Sequence, residues 1–295
     1  MESEHALTIV LSSLQIDCLK RRRIEHFIKN NVNWFKVFQI AIQEKTVFLV
    51  YKNLLEQHYL FLLPSTLRVV WERAYYGNIR HNQFLISRTC EVEDSFTQNH
   101  IIAYPIRGII ILQLFPECTS WRILRDVDFL VSSDCIEKAS EVMLKDGFAK
   151  LYINDEDLLL NNKNSFKSSI FFEKNYNNLG AFDCDLCQNI KPYEQYERIL
   201  LSLSKQGSED YFISHCILFY LSALDAVDKE TMKQSKADNS YRLAKLLDIQ
   251  LLEYLCQNKA IKSGLDREIE VFQIGNQVNI IRKLIAHYWE GNETV

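Results

Sequence analysis

The chain has 295 residues, 47% of them hydrophobic and 24% charged, with only 8 Gly and 4 Pro. These proportions exclude collagen-like, low-complexity and disordered classes, and the length allows a full buried core. Lys and Arg number 34 against 38 Asp and Glu, a net charge of −4, so the basic footprint of a long-nucleic-acid binder is missing.

The first residues, Met1-Glu2-Ser3-Glu4-His5, are acidic where a secretory leader is basic. The apolar stretches 108–115 and 216–224 fall short of the ~20 residues a membrane span needs. The 8 Cys are scattered, with no framework spacing, and read as reduced thiols. The expectation is a soluble cytoplasmic chain without a membrane partner.

Residues 1–100 read as a helical region. Trp34, Val37, Phe38 and Ala41 recur at helical spacing, as do Val47, Val50, Tyr51, Leu54 and Leu55. Pro64 opens a further segment through Leu67, Val70, Trp71 and Ala74, and a heptad-like run through Phe84, Cys90, Val92 and Phe96 ends near Asn99-His100. The 20–23 run of Lys and Arg reads as a solvated helix face.

The texture changes at Ile101, and 101–190 reads as a small α/β core. Ile101-Ile102-Ala103-Tyr104 is a β-branched run stopped by Pro105. Arg107-Gly108 leads into an apolar helix over 109–115, ended by Pro116. Residues 124–131 alternate as a strand. Asp134 is expected to cap a helix carrying Ile136, Ala139, Val142 and Met143, with Gly147 stopping it. Strands are expected over 148–153, 166–173 and 181–188, the last two as a hairpin about an Asn-rich turn. From 191 to 295 the helical period returns, near 193–204, 209–227, 239–257 and 266–290, with a polar loop over 228–239.

Asp126-Val127-Asp128-Phe129 carries the sharpest chemical signal. On a strand, residues two apart share a face, so both carboxylates point one way while Val127 and Phe129 face the core. Adjacent carboxylates repel unless a cation lies between them; Mg²⁺ suits such a pair, because it takes carboxylate and phosphate oxygens. Taken alone, an Asp-x-Asp is common by chance and more often marks an edge strand with two solvated acids. Pro105-Ile106-Arg107-Gly108, between a strand and a helix, is either a phosphate-binding turn or a tight turn with a surface Arg. Asp183-Cys184-Asp185 again puts two acids on one face, and a carboxylate from this strand joins Asp126 and Asp128 if the strands are neighbours. Cys184 and Cys187 have zinc spacing but would face opposite ways on a strand, with no second pair nearby.

Strand, glycine turn, helix, Asp-x-Asp strand and a third Asp on a later strand resemble the nucleotidyltransferase superfamily of DNA polymerase beta. Within it the chain is similar to the family labelled uncharacterised nucleotidyltransferase. The residues that carry this are Ile106-Arg107-Gly108, Phe115-Pro116, Arg122, Asp126-Val127-Asp128-Phe129-Leu130-Val131, Asp146-Gly147-Phe148, Asp185-Leu186-Cys187-Gln188 and Arg242-Leu243 with Asp248. Trp34 and Pro64 match its helical N-terminal pattern. Against the family's pattern, Arg107 replaces Lys, Arg125 replaces a small residue and Cys187 replaces His; Ile109 stands where many members of the wider superfamily have Ser.

The resemblance implies an α+β fold, a small mixed sheet flanked by N- and C-terminal helical regions. It implies transfer of NMP, AMP from ATP by expectation, to an acceptor hydroxyl with release of diphosphate. Asp126, Asp128 and Asp185 would be catalytic and would hold two Mg²⁺ ions. Arg107, Gly108 and Arg122 would bind the triphosphate. The acceptor is left open among a small molecule, a peptide, a protein or an RNA, with long nucleic acid disfavoured by charge. The alternative is a catalytically weak relative that binds a nucleotide or a partner as an accessory module.

Overall fold

The computed structural model describes residues 3–151, 166–176, 180–190, 196–231, 243–257 and 259–290. Four short helices come first: α1 (Ser3–Leu11), α2 (Cys18–Ile28), α3 (Trp34–Gln43) and α4 (Val47–Glu56). Asp17 and Asn33 cap α2 and α3, each side chain accepting a backbone N–H three residues on, which satisfies one of the orphan donors at a helix start. The basic run lies on α2, and Arg21, Arg22 and Arg23 are exposed there. These helices bury Leu7, Val10, Leu11, Val37, Val50 and Tyr51 around Trp71, whose indole N–H donates to the Val47 carbonyl at 2.9 Å.

Trp71 belongs to α5 (Ser65–Gln98), a single helix of 34 residues. The sequence suggested two segments there. Gly77 does not break the helix; a Cβ there would meet no atom within 4 Å, and the apolar spacing runs through it from Trp71 and Tyr75 to Leu85, Val92 and Phe96. Such a glycine costs only about 1 kcal/mol relative to Ala.

The sheet follows. It comprises β1 (Ala103–Ile106), β2 (Asp126–Val131), β3 (Ala149–Leu151), β4 (Phe166–Asn175) and β5 (Ala181–Ile190), in the spatial order β1-β2-β5-β4-β3. Strand β1 runs through Pro105 instead of stopping at it. It is an edge strand, where a missing N–H can face outward without breaking the ladder. The hairpin of β4 and β5 is antiparallel as expected, while β2 and β5 are parallel neighbours. The turn between β4 and β5 includes 177–179, outside the described residues, as are 152–153 of the strand expected after Phe148.

Short helices α6 (Gly108–Leu114) and α7 (Ile136–Lys145) connect the strands. Asp134 does not cap α7. Cys135 holds that position, and the Asp134 carboxylate instead accepts the Ser132 hydroxyl, the local competition Ser and Asp side chains offer. One sheet face buries Val127, Phe129, Cys184, Leu186, Phe172 and Phe182; Phe129 meets Phe96 of α5 edge to face, with ring centroids 5.5 Å apart.

The C-terminal helices are α8 (Tyr196–Leu203), α9 (Glu209–Thr231), α10 (Leu243–Leu255), α11 (Lys259–Val271) and α12 (Gly275–Ile285). The expected loop from 228 is helical to Thr231, and its remainder lies outside the described residues. The period read over 266–290 belongs to two helices, parted where Gln273 takes the left-handed conformation at φ 55. The large core cluster runs from Ile9 of α1 through the sheet to Trp289, and Trp289 ties the two ends of the chain by donating to the Ile9 carbonyl at 3.2 Å.

His215 of α9 is fully buried, its ring edge to face with Tyr211 at 4.5 Å. Neither ring nitrogen has a hydrogen-bond partner, and burial pushes its pKa down to about 3. The unfolded chain therefore binds a proton below about pH 6.5 that the folded chain refuses, so stability falls with pH across that window. From pH 7 to pH 5 this group alone should cost about 2 kcal/mol. His215→Leu should flatten that part of a urea-unfolding pH profile; an unchanged slope would assign the acid sensitivity elsewhere.

Candidate active site

Registered strand pairs place side chains on the same sheet face. Asp126 is opposite Asp183 and Asp128 opposite Asp185, while Glu173 of β4 is opposite Asp183 and Phe171 opposite Asp185. Two rows therefore cross the sheet face opposite Val127, Phe129, Cys184 and Leu186, Asp126-Asp183-Glu173 and Asp128-Asp185-Phe171. Leu151 of β3 extends the second row. Asp126 is exposed at the start of β2, and Asp128 is buried, 7% exposed.

This crowding has an electrostatic signature. Burial first, then Asp128 and Asp126, pushes Asp185 up to about 8. Burial also raises Asp128, with Arg107 opposing and Asp126 adding to the shift, and burial and Glu173 raise Asp183. One oxygen of Asp183 is buried without a hydrogen-bond partner. At neutral pH the acids cannot all ionise comfortably unless further positive charge enters.

Apart from Glu173, the residues of these rows line a cleft of about 680 Å³. Its rim draws on all parts of the chain: Lys45 from the turn between α3 and α4, Phe219 of α9, and Ala244, Lys245 and Asp248 of α10. Lys45 sits at the left-handed position after α3, φ 55, with Lys45 N–H donating to the Ile42 carbonyl and Thr46 N–H to Ala41, the pattern that usually places Gly there. Beside it Glu44 reaches α10: its carboxylate accepts the Leu243 N–H at 3.1 Å and its carbonyl the Ala244 N–H at 3.4 Å. That contact joins the α3–α4 turn to α10, and Lys45 and Lys245 both line the cleft. Neither lysine was singled out in the sequence, because a turn lysine and a helix lysine carry no periodic or motif signal of their own.

Arg107 precedes α6 with φ 61 and ψ −132, a conformation costly for a residue with a side chain, roughly 1–3 kcal/mol. Its Nη1 donates to Asp128 Oδ1 at 2.9 Å. A Cβ at Gly108 would lie 2.4 Å from Leu124 Cδ1, so a larger residue there would make the Leu124 side chain shift. Arg122 also lines the cleft, but its guanidinium is engaged by Asp248, Nε to Oδ1 and Nη2 to Oδ2, both at 2.7 Å. Asn78 and Asn82 of α5 brace the same loop, donating to the carbonyls of Thr119, Ser120 and Arg122. Cys187 follows Asp185 on the same face of β5, its thiol 3.8 Å from Asp128 Oδ1. Cys184 and Cys187 are both buried.

A family model described as Uncharacterised nucleotidyltransferase matches residues 30–289. The chain belongs to this nucleotidyltransferase family. Neither the curated proteins nor the solved structures contain a match. Membership implies transferase chemistry on a nucleoside triphosphate, and residues 30–289 take in every group that lines the cleft. Among the described residues, no helix is long and apolar enough to cross a membrane.

Proposed function

We propose that the protein transfers NMP, with ATP as the expected donor, from a nucleoside triphosphate to an acceptor hydroxyl in a divalent-metal-dependent reaction. The observation that carries this is the placing of Asp126, Asp128 and Asp185 on adjacent parallel strands, side by side on the floor of a cationic-rimmed cleft.

The donor set fits a hard cation. It offers only carboxylate oxygens, the preferred ligands of Mg²⁺, and its acids are pushed up for want of positive charge. Asp126, Asp128 and Asp185 would hold two such ions, which when bound supply charge neutralisation at the phosphates and activation of the acceptor oxygen. Among the described residues, no three acidic, His or Cys side chains already stand together as a ligand cage; Asp128 is turned to Arg107.

Asp185 accepts the proton of the acceptor hydroxyl. The acceptor oxygen bonds to the α-phosphorus, the bond from that phosphorus to the bridging oxygen breaks, and diphosphate leaves with the electron pair. Arg107, Lys45 and Lys245 are placed to receive the triphosphate, with Gly108 leaving the turn open beneath it. Arg122 acts through Asp248, fixing the loop that carries Leu124 against Gly108.

A second reading, a nucleotide-binding relative without transfer, is favoured by the contact of Arg107 with Asp128 and by Cys187 beside the same carboxylate. Calorimetric titration of ATP, GTP, CTP and UTP, with Mg²⁺ and with EDTA, separates the two. Metal-strengthened binding that is lost in Asp126→Asn supports transfer and names the base. Binding indifferent to metal favours the second reading, and no binding of any nucleotide removes both.

A further inference from the structure

The acid rows hold Asp126, Asp128, Asp183, Asp185 and Glu173 on one face. The positive charge that meets Asp128, the most enclosed of the proposed metal ligands, is supplied by the chain itself. Arg107 Nη1 stands 2.9 Å from Asp128 Oδ1, and the two side chains are only 26% and 10% exposed. The guanidinium is therefore pressed into the rows rather than extended to solvent. It is delivered there by a backbone with φ 61 just before Gly108, in a turn that lines the cleft.

We propose that Arg107 is a resident counter-ion of the acid rows, which keeps divalent cations out until a triphosphate draws the guanidinium away, so that metal and nucleotide enter together. The proposal rests on the metal-dependent reading above and adds an order of assembly to it. A divalent ion at Asp128 and a guanidinium on the same carboxylate repel each other at close range. A triphosphate offers the guanidinium a stronger, bidentate anionic partner than a shared carboxylate. Moving Arg107 from carboxylate to phosphate thus removes one cation from the metal position and adds one to the nucleotide position in a single step. Coupling of this kind is reciprocal: the metal must strengthen triphosphate binding by the factor by which triphosphate strengthens metal binding.

The test is a titration of Mn²⁺ alone into the full chain, followed by the paramagnetic signal of the free ion, for wild type, R107Q and R107K. Binding of a non-hydrolysable ATP analogue with Mn²⁺ and with EDTA is measured on the same variants. R107Q should bind Mn²⁺ alone at least tenfold more tightly than wild type, and Asp126→Asn in the R107Q background should abolish that gain. R107K keeps the charge and should stay close to wild type, which guards against a gain caused by loosened folding. The strengthening of analogue binding by Mn²⁺ should be large in wild type and shrink in R107Q. Equal Mn²⁺ affinity in wild type and R107Q, with the analogue still metal-dependent, would overturn the counter-ion role while leaving the transferase reading intact. No Mn²⁺ binding by any variant, even with the analogue, would overturn both.

Discussion

Asp126→Asn and Asp185→Asn should each lower nucleotidyl transfer by about 10³-fold or more while leaving the melting temperature of the metal-free protein unchanged or slightly raised. The size follows from the work assigned to them: a carboxylate that fixes a cation at the reacting phosphate supplies several kcal/mol to the transition state, and each 1.36 kcal/mol is tenfold in rate. The stability half follows from crowding. Asp126 is exposed and Asp185 is pushed up to about 8, by burial first and then by Asp128 and Asp126, so an amide at either place removes repulsion. Radiolabelled transfer from the α-phosphate, with parallel thermal unfolding, checks both halves. Full activity in both variants would remove the acid rows from the reaction. Loss of activity with a collapsed melting temperature would make their role structural.

Asp248→Ala should lower the unfolding free energy by about 3–5 kcal/mol, because it leaves the Arg122 guanidinium charged and unpaired in a buried place. Asp248 is 1% exposed and receives two charge-assisted bonds from Arg122. In a chain of this length such a loss moves the melting temperature by roughly 10 °C. The double variant Arg122→Met with Asp248→Leu should recover most of the stability, since no charge is then buried alone. Urea unfolding of the singles and the double measures this coupling; additive losses would mean that the pair is not the unit described. Transfer should fall in the stable double as well, because the loop between α6 and β2 loses its tie to α10.

The acid rows were legible because period two on a strand is a local property: Asp126 and Asp128 had to share a face wherever β2 lay. Their junction with Asp185 needed the parallel pairing of β2 and β5, which the sequence suggested only through a family resemblance. Within that resemblance, Arg122 and Asp248 entered as separate motif elements, one of them assigned to phosphate. The fold brings the two into one bidentate pair. Pairings of this kind, like Glu44 with the start of α10, join residues far apart in the chain and leave no periodic trace. Pro105 misled for the opposite reason: a local rule about proline gives way at a sheet edge, where no neighbour asks for its N–H. The left-handed backbone of Arg107 had no sequence signal either, since Arg is seldom found there.

The parallel pairing of β2 and β5 also sets when the acid rows can come into being. Strand β2 is held from one side by β1, its neighbour in sequence across α6, and β3, β4 and β5 form a local meander. The seam between these two pieces closes a long loop, so it pays a larger entropic cost before any contact rewards it. Arg107 and Asp128 lie together in the first piece, whereas Asp185 belongs to the second. The acid rows are thus completed across the seam between β2 and β5, the strand pairing with the longest separation along the chain in this sheet.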